Sequence, residues 1–290
     1  MHNPVTPSEC LGEIFVVDKK IKSRCKFDEG ILLKGVSLYE VIKIKDKTPL
    51  FAEDHIQRLF NSAKVAGAES CPNASLIKEN LQILIANNND IKEGNIRILM
   101  HFSGNIKERP HVYSYYIPHY YPSVEEYTSG VSVVPVHIER QSPHSKCINI
   151  KFRSFISDII KKEKAYEALL VNKAGFITEG SKSNFFVIKD NKIITPPEKD
   201  VLPGITRKHI LNICRIRGID FSEAKIHFNE KANFDSCFLS GTSPGILAVK
   251  CIGATIFNHD HPVLKQISME HELLVDNYIK NNKSQFNLIK

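Results

Sequence analysis

The chain has 290 residues, of which 42% are hydrophobic, and a formal net charge of +7 at pH 7. That is enough apolar material for a sizeable core in two domains or one large one, which excludes a disordered chain. No apolar run approaches a membrane span, and the opening M-H-N-P-V-T-P-S-E-C has neither the basic start nor the apolar stretch of a signal peptide, so the expectation is a cytoplasmic protein without a membrane partner.

In chain order, apolar residues over 13–17, a turn at Asp18-Lys19-Lys20 and Ile21-Lys22 predict a hairpin. Residues 38–45 predict a strand with Leu38, Ile42 and Ile44 on one face and Tyr39 and Val41 on the other. Asp54 is expected to cap a helix that carries Ile56, Leu59, Phe60 and Ala63 at helical spacing and stops at Gly67. Arg58 falls off that stripe and reads as a solvated arginine. Ser75 is expected to cap a second helix with Leu81, Leu84 and Ile85 inward, and 96–102 and 112–117 predict two strands. The Tyr-rich run from Pro118 to Pro122 predicts a linker, dividing the chain into a small domain, 1–121, and a larger one, 122–290.

The larger part opens with a predicted strand at 131–136. Lys146 follows in a polar stretch, S-P-H-S-K-C-I-N, and then an amphipathic helix is expected to turn Phe152, Phe155, Ile156, Ile159 and Ile160 inward. A short apolar run, 168–172, leads through a turn at 173–175 into A-G-F-I-T-E-G-S-K-S-N-F-F-V-I-K-D-N-K-I-I-T-P-P, with strands predicted at 185–188 and 193–195. Gly204 precedes a helix expected over 205–217 and closed by Gly218. A strand at 235–240, a tight turn at 241–245 and a last helix over 263–279 complete the reading.

Seven scattered cysteines without a C-x-x-C pair suggest reduced, packing cysteines, and no His/Cys cluster has zinc spacing. The basic charge is spread along the chain; Lys161-Lys162-Glu163-Lys164 reads as a solvated helix end, and no nucleic-acid motif is present. Glu179 stands apart. It sits in small polar company, T-E-G-S-K-S-N, between apolar strands. A buried carboxylate needs a partner, so it is either a surface loop acid or an acid that holds a cation such as a protonated ring nitrogen.

T-E-G-S-K-S-N-F-F, followed by T-P-P, L-P-G-I-T-R and S-G-T, resembles the fold-type IV (class IV) pyridoxal-phosphate enzymes. That family holds branched-chain aminotransferases, D-amino acid aminotransferases and aminodeoxychorismate lyases, and the resemblance runs from about 12 to 253. It implies a two-domain α+β fold, with a small N-terminal α+β domain and a larger C-terminal α/β domain, and a homodimer. K-C-I-N matches the family's K-x-x-N, so Lys146 is expected to carry the cofactor's aldehyde and to move the substrate proton. Glu179 is expected at the ring nitrogen. Ile205, Thr206, Gly241 and Thr242 are expected at the phosphate, where the start of a helix presents free N–H groups. H-I-Q-R-L gives Arg58 a phosphate role on the resemblance alone, against its helical position.

The substrate residues implied are Tyr39, Arg97 and Ser243. Tyr39-Glu40-Val41 is similar to the aminotransferase pattern, and Arg97 in I-R-I-L-M-H-F-S-G to an arginine that receives a carboxylate. The D-amino acid enzymes' arginine-x-histidine pair has no counterpart, and Asn95 stands where the branched-chain enzymes carry a tyrosine. The expected reaction is transfer of an amino group between an L-branched-chain amino acid and a 2-oxo acid. β-Elimination releasing pyruvate, and D-amino acid transamination, remain as alternatives.

Overall fold

The structure is a computed structural model that describes residues 9–28, 30–31, 34–140 and 144–286. Residues 1–8, on which the expectation about a leader rests, and 141–143 of the stretch before Lys146 lie outside the described residues. Two compact units are present: one takes the chain up to Tyr120, 145–148 and the chain from Asp276, and the other takes 121–144 and 149–275.

The first unit holds β1 (Leu11–Val17), β2 (Lys20–Ser23), β3 (Val36–Lys45), β4 (Thr48–Pro49), α1 (Ala52–Val65), α2 (Ala74–Ala86), β5 (Gly94–Phe102) and β6 (His111–Ile117). Its antiparallel sheet runs β2-β1-β6-β5-β3-β4. The alternation of β3 is as the sequence predicts. Leu38, Ile42 and Ile44 pack on Ile56, Leu59 and Ala63 of α1 and Ile77, Leu81, Leu84 and Ile85 of α2. Tyr39 and Val41 join Phe15, Leu99 and Tyr115 on the other face. Each buried aliphatic side chain contributes about 1.5–3 kcal/mol, so packing rather than helix propensity holds both helices in place.

Both expected caps are corrected. Asp54 lies inside the first turn of α1, where a carboxylate suits the helix dipole. The helix starts after Phe51, in the left-handed region at φ 52°, and the Ala52 N–H donates to the Tyr278 hydroxyl at 3.3 Å. Helix α2 is capped by Asn73, which accepts from the Leu76 N–H at 2.9 Å, while the Ser75 hydroxyl donates to Asn73.

The second unit holds α3 (Val124–Ser129), β7 (Val131–His137), α4 (Ile150–Glu163), β8 (Glu167–Val171), β9 (Phe176–Gly180), β10 (Asn184–Lys189), β11 (Lys192–Thr195), α5 (Ile205–Arg217), β12 (Phe221–Glu223), β13 (Ile226–His227), β14 (Ser236–Gly241), β15 (Gly245–Ile252), β16 (Thr255–Ile256) and the start of α6 (Pro262–Phe286). Its mixed ten-stranded sheet runs β12-β11-β10-β14-β15-β7-β8-β9-β13, with β16 against β15. The sheet curls around Val133, Leu169, Ile177, Phe185, Val187, Leu239 and Leu247, while Phe186, Ile188 and Phe238 face α5 and α6 on the outside. Helix α5 has the predicted bounds, and Gly218 closes it at φ +66°.

Three readings of this region change. Just after the expected linker comes α3, a helix that the sequence reading lacks, started by a capping box between Ser123 and Glu126 that the S-x-x-E spacing announces. Phe155 is 51% exposed rather than inward, because α4 covers β7 and β8 with a narrow stripe centred on Ile156. The apolar run G-I-L-A-V-K-C-I forms β15, a strand that the sequence reading lacks.

Candidate active site

In the first unit the site grows from an anomaly in β3. Glu40 shares the face of Leu38 and Ile42, which places a carboxylate in the helix-facing core, where it is completely buried. Helix α1 answers with a polar stripe, His55, Arg58 and Ser62, spaced i, i+3, i+7 beside the apolar one, all buried. Arg58 grips Glu40 with both edges of its fork: Nε donates to Oε1 and Nη2 to Oε2, each at 2.7 Å. His55 Nδ1 lies 2.8 Å from Glu40 Oε2. Arg58 is therefore not the solvated arginine that its helical position suggests; it is 6% exposed. The cause is Glu40, whose buried charge requires a cation.

Burial pushes the Glu40 carboxyl up, but Arg58, Lys146 and the hydrogen bonds from His55 and Arg58 together hold it well below the usual carboxylate range. Burial lowers the His55 pKa against the pull of Glu40, so His55 is neutral at pH 7.

Lys146 completes the cluster. Its backbone forms a short rung along the open edge of β3: the Tyr39 N–H donates to Lys146 O at 3.1 Å and the Ile148 N–H to Ser37 O at 3.3 Å. On its other side the Lys146 N–H reaches Ser62 Oγ at 3.4 Å. The backbone is thus anchored from two elements, and the side chain extends with Nζ 3.6 Å from Glu40 Oε2 and 5.3 Å from the centre of the Tyr39 ring. The guanidinium of Arg97, on β5, lies 5.4 Å from the centre of that same ring. Of the residues expected from the sequence, Lys146, Tyr39, Arg97 and Arg58 are therefore brought together in this unit.

In the second unit Glu179 is on β9, 2% exposed, and not a surface loop acid. Its Oε1 pairs with Arg140 Nε at 2.8 Å and its Oε2 accepts from the Leu202 N–H at 3.1 Å. Asn184, next along, donates to Leu202 O at 2.8 Å. The loop that starts α5 is thereby tied to the strand carrying Glu179. Gly204 is the N-cap, no side chain caps the helix, and Ile205 and Thr206 form its buried first turn. Gly241 ends β14, and Thr242, Ser243 and Pro244 form the turn into β15.

The two glycines differ. A Cβ on Gly204 would collide with Asn184 Oδ1, whereas on Gly241 it would meet Pro244 at 3.5 Å and Lys182 O at 3.7 Å, both ordinary contacts. The Asn184 amide thus leaves no room for a side chain at 204, whereas 241 has that room.

These donors fit pyridoxal phosphate. An uncapped helix start suits an anion. The buried Ser240 hydroxyl, beside Asn184 in the β10–β14 ladder and shortly before the 242–244 turn, has no hydrogen-bond partner among the described residues. The other two kinds of group that this cofactor needs, a primary amine and a buried carboxylate, are present as Lys146 in the first unit and Glu179 in the second.

Sequence reasoning missed Glu40, His55, Ser62 and Arg140 as members of the site. The first three carried a signal: an acid at a core position of an alternating strand, followed by polar residues at helical spacing.

The chain is 28% identical over 232 residues to a D-alanine aminotransferase of Bacillus licheniformis, covering 77% of this chain and 81% of the relative. It is 31% identical over 223 residues to a probable branched-chain-amino-acid aminotransferase of Synechocystis, covering 73% and 72%. In structure it resembles the branched-chain amino acid aminotransferase of Escherichia coli with a TM-score of 0.82 at 22% identity, over 91% of this chain and 95% of that one. The family model for amino-transferase class IV matches residues 37–252, and with most of its length so matched, the chain belongs to the class IV aminotransferases, a family of pyridoxal-phosphate-dependent enzymes.

Proposed function

We propose that this class IV aminotransferase moves an amino group between an L-branched-chain amino acid and a 2-oxo acid, with pyridoxal phosphate joined to Lys146. The observation that carries the reading is the placement of the Lys146 amine beside Glu40 and the Tyr39 ring on a backbone anchored from two sides. Bound there, the cofactor supplies an aldehyde and a cationic ring that takes up the negative charge left when a Cα–H bond breaks.

Lys146 Nζ is the amine that would hold the cofactor's aldehyde and the base that would take the proton from the substrate's Cα. Glu40, 3.6 Å away, orients that amine. Glu179 keeps the ring nitrogen protonated, with Arg140 fixing its carboxylate. The N–H groups of Ile205 and Thr206, the Gly241-Thr242 backbone and Arg58 hold the phosphate. Tyr39, Arg97 and Ser243 border the substrate, and the working form is a homodimer. The L-branched-chain preference is supported by the presence of Arg97 without a D-specific arginine-x-histidine pair; the likeness to a D-alanine enzyme supports the second reading, D-amino acid transamination.

The cofactor-loaded protein is expected to be yellow and to bleach when L-isoleucine is added without an oxo acid. Bleaching by D-alanine alone would transfer the assignment to D-amino acids. Pyruvate release without an acceptor would replace it with elimination. Colourless protein that cannot be reconstituted would end the reading.

Gly204→Ala tests the phosphate cradle. The new methyl forces Asn184 off Leu202 O, so the α5 start loosens. The expected result is a loss of about 1–2 kcal/mol of stability together with weaker retention of the cofactor on dialysis. Wild-type retention would show that the α5 start does not hold the phosphate.

A further inference from the structure

Arg97 is not waiting open for a carboxylate. Its side chain is 7% exposed, and its guanidinium lies against the Tyr39 and Tyr115 rings on the face of the sheet opposite α1 and α2. A guanidinium so buried needs an anion. In this chain the anion is intramolecular: Glu9, just before β1, pairs its Oε1 with Arg97 Nη1. The two partners differ in their access to water. Glu9 is 25% exposed, so its carboxylate can turn outward and be hydrated, whereas Arg97 cannot leave its aromatic surroundings.

We infer that Glu9 is a specificity-determining residue whose carboxylate occupies Arg97 and must be exchanged before Arg97 takes a carboxylate of a substrate. The inference rests on the proposed substrate role of Arg97. Exchange is the arrangement that keeps Arg97 paired throughout: a carboxylate arrives, Glu9 swings into water, and no buried charge is left alone. An anionic ligand must outcompete a tethered carboxylate, whereas an apolar side chain needs no exchange. Glu9 therefore weakens carboxylate binding at Arg97 and shifts preference toward ligands whose remaining part is apolar.

The test uses equilibrium binding to the cofactor-loaded protein, with glutarate and 4-methylpentanoate as probes that cannot be transaminated. Glu9→Gln is expected to tighten glutarate about tenfold, the size of one charged hydrogen bond. On an Arg97→Gln background the same change at Glu9 is expected to do nothing. Tightening of glutarate alone assigns Arg97 to a second carboxylate and supports the inference, whereas equal tightening of both probes would assign Arg97 to the carboxylate that they share and overturn the specificity role of Glu9. Unchanged affinity for both probes in Glu9→Gln overturns the inference. So does equal tightening with and without Arg97, which would mean plain repulsion by Glu9. Because neither probe turns over, these results stand apart from whether L-isoleucine is a donor.

Discussion

Lys146→Ala is expected to lower kcat by three to four orders of magnitude while the protein stays folded. Under the proposed function the loss combines a proton-transfer group, which contributes about 10²–10⁴ in rate, with the covalent hold on the cofactor. It corresponds to roughly 4–5 kcal/mol in the barrier. The fold is retained because the contacts that anchor this residue are made by its backbone: the carbonyl accepts from Tyr39 N–H and the N–H reaches Ser62. Alanine keeps both. Glu40 keeps Arg58 and His55 as partners after the lysine is gone, so no buried charge is orphaned. Circular dichroism and the thermal midpoint should stay near wild type while steady-state turnover disappears. Full turnover in this variant would remove Lys146 from the mechanism, and with it the functional reading.

The second large effect falls on stability. Glu40→Gln is expected to cost about 3–5 kcal/mol, because it leaves the buried Arg58 charge uncompensated, and to lower the thermal midpoint by roughly 10 °C. The double variant Glu40→Leu with Arg58→Met removes both charges. It should regain most of the stability but not the activity, since the proposed reaction also needs Arg58 at the phosphate. A single variant within 1 kcal/mol of wild type, an order-of-magnitude threshold set by ordinary surface changes, would show that water reaches the pair.

The same cluster gives the wild type an acid sensitivity. Glu40 has a depressed pKa in the folded state, so its contribution is complete above the unfolded value of about 4.3 and is lost as pH falls through the lower folded value. His55 is also depressed: the unfolded chain takes a proton near 6.5 that the folded one refuses, so stability declines as pH falls below that value. Glu167, raised by burial, acts in the opposite sense. Denaturant titrations from about pH 7 to about pH 2 should show a falling ΔG in wild type, with the part of the decline below about 4.3 missing in Glu40→Gln.

Much of the fold is written locally. Alternation in β3, the apolar stripes of α1, α2 and α5, and the glycine that closes α5 depend on side-chain period and backbone freedom, which a linear sequence displays directly. The ordered motifs around Lys146, Glu179 and Gly204 carried the family in the same way. Other features are set by partners distant in the chain. The first turn of α1 is completed by Tyr278, 226 residues further on, so Asp54 looked like the cap. Arg58 looked solvated because Glu40, which buries it, belongs to the strand before its helix. Glu179 looked like a loop acid until Arg140 and the Leu202 N–H stood beside it. Glu9 carried no signal at all, for nothing near position 9 points to an arginine on β5. The sequence by itself determined which residue types and periods were present, and so the elements and the family. Only the tertiary structure decided which charges were buried and which group neutralised each one, because the cost of burying a charge depends on neighbours that folding alone brings within reach.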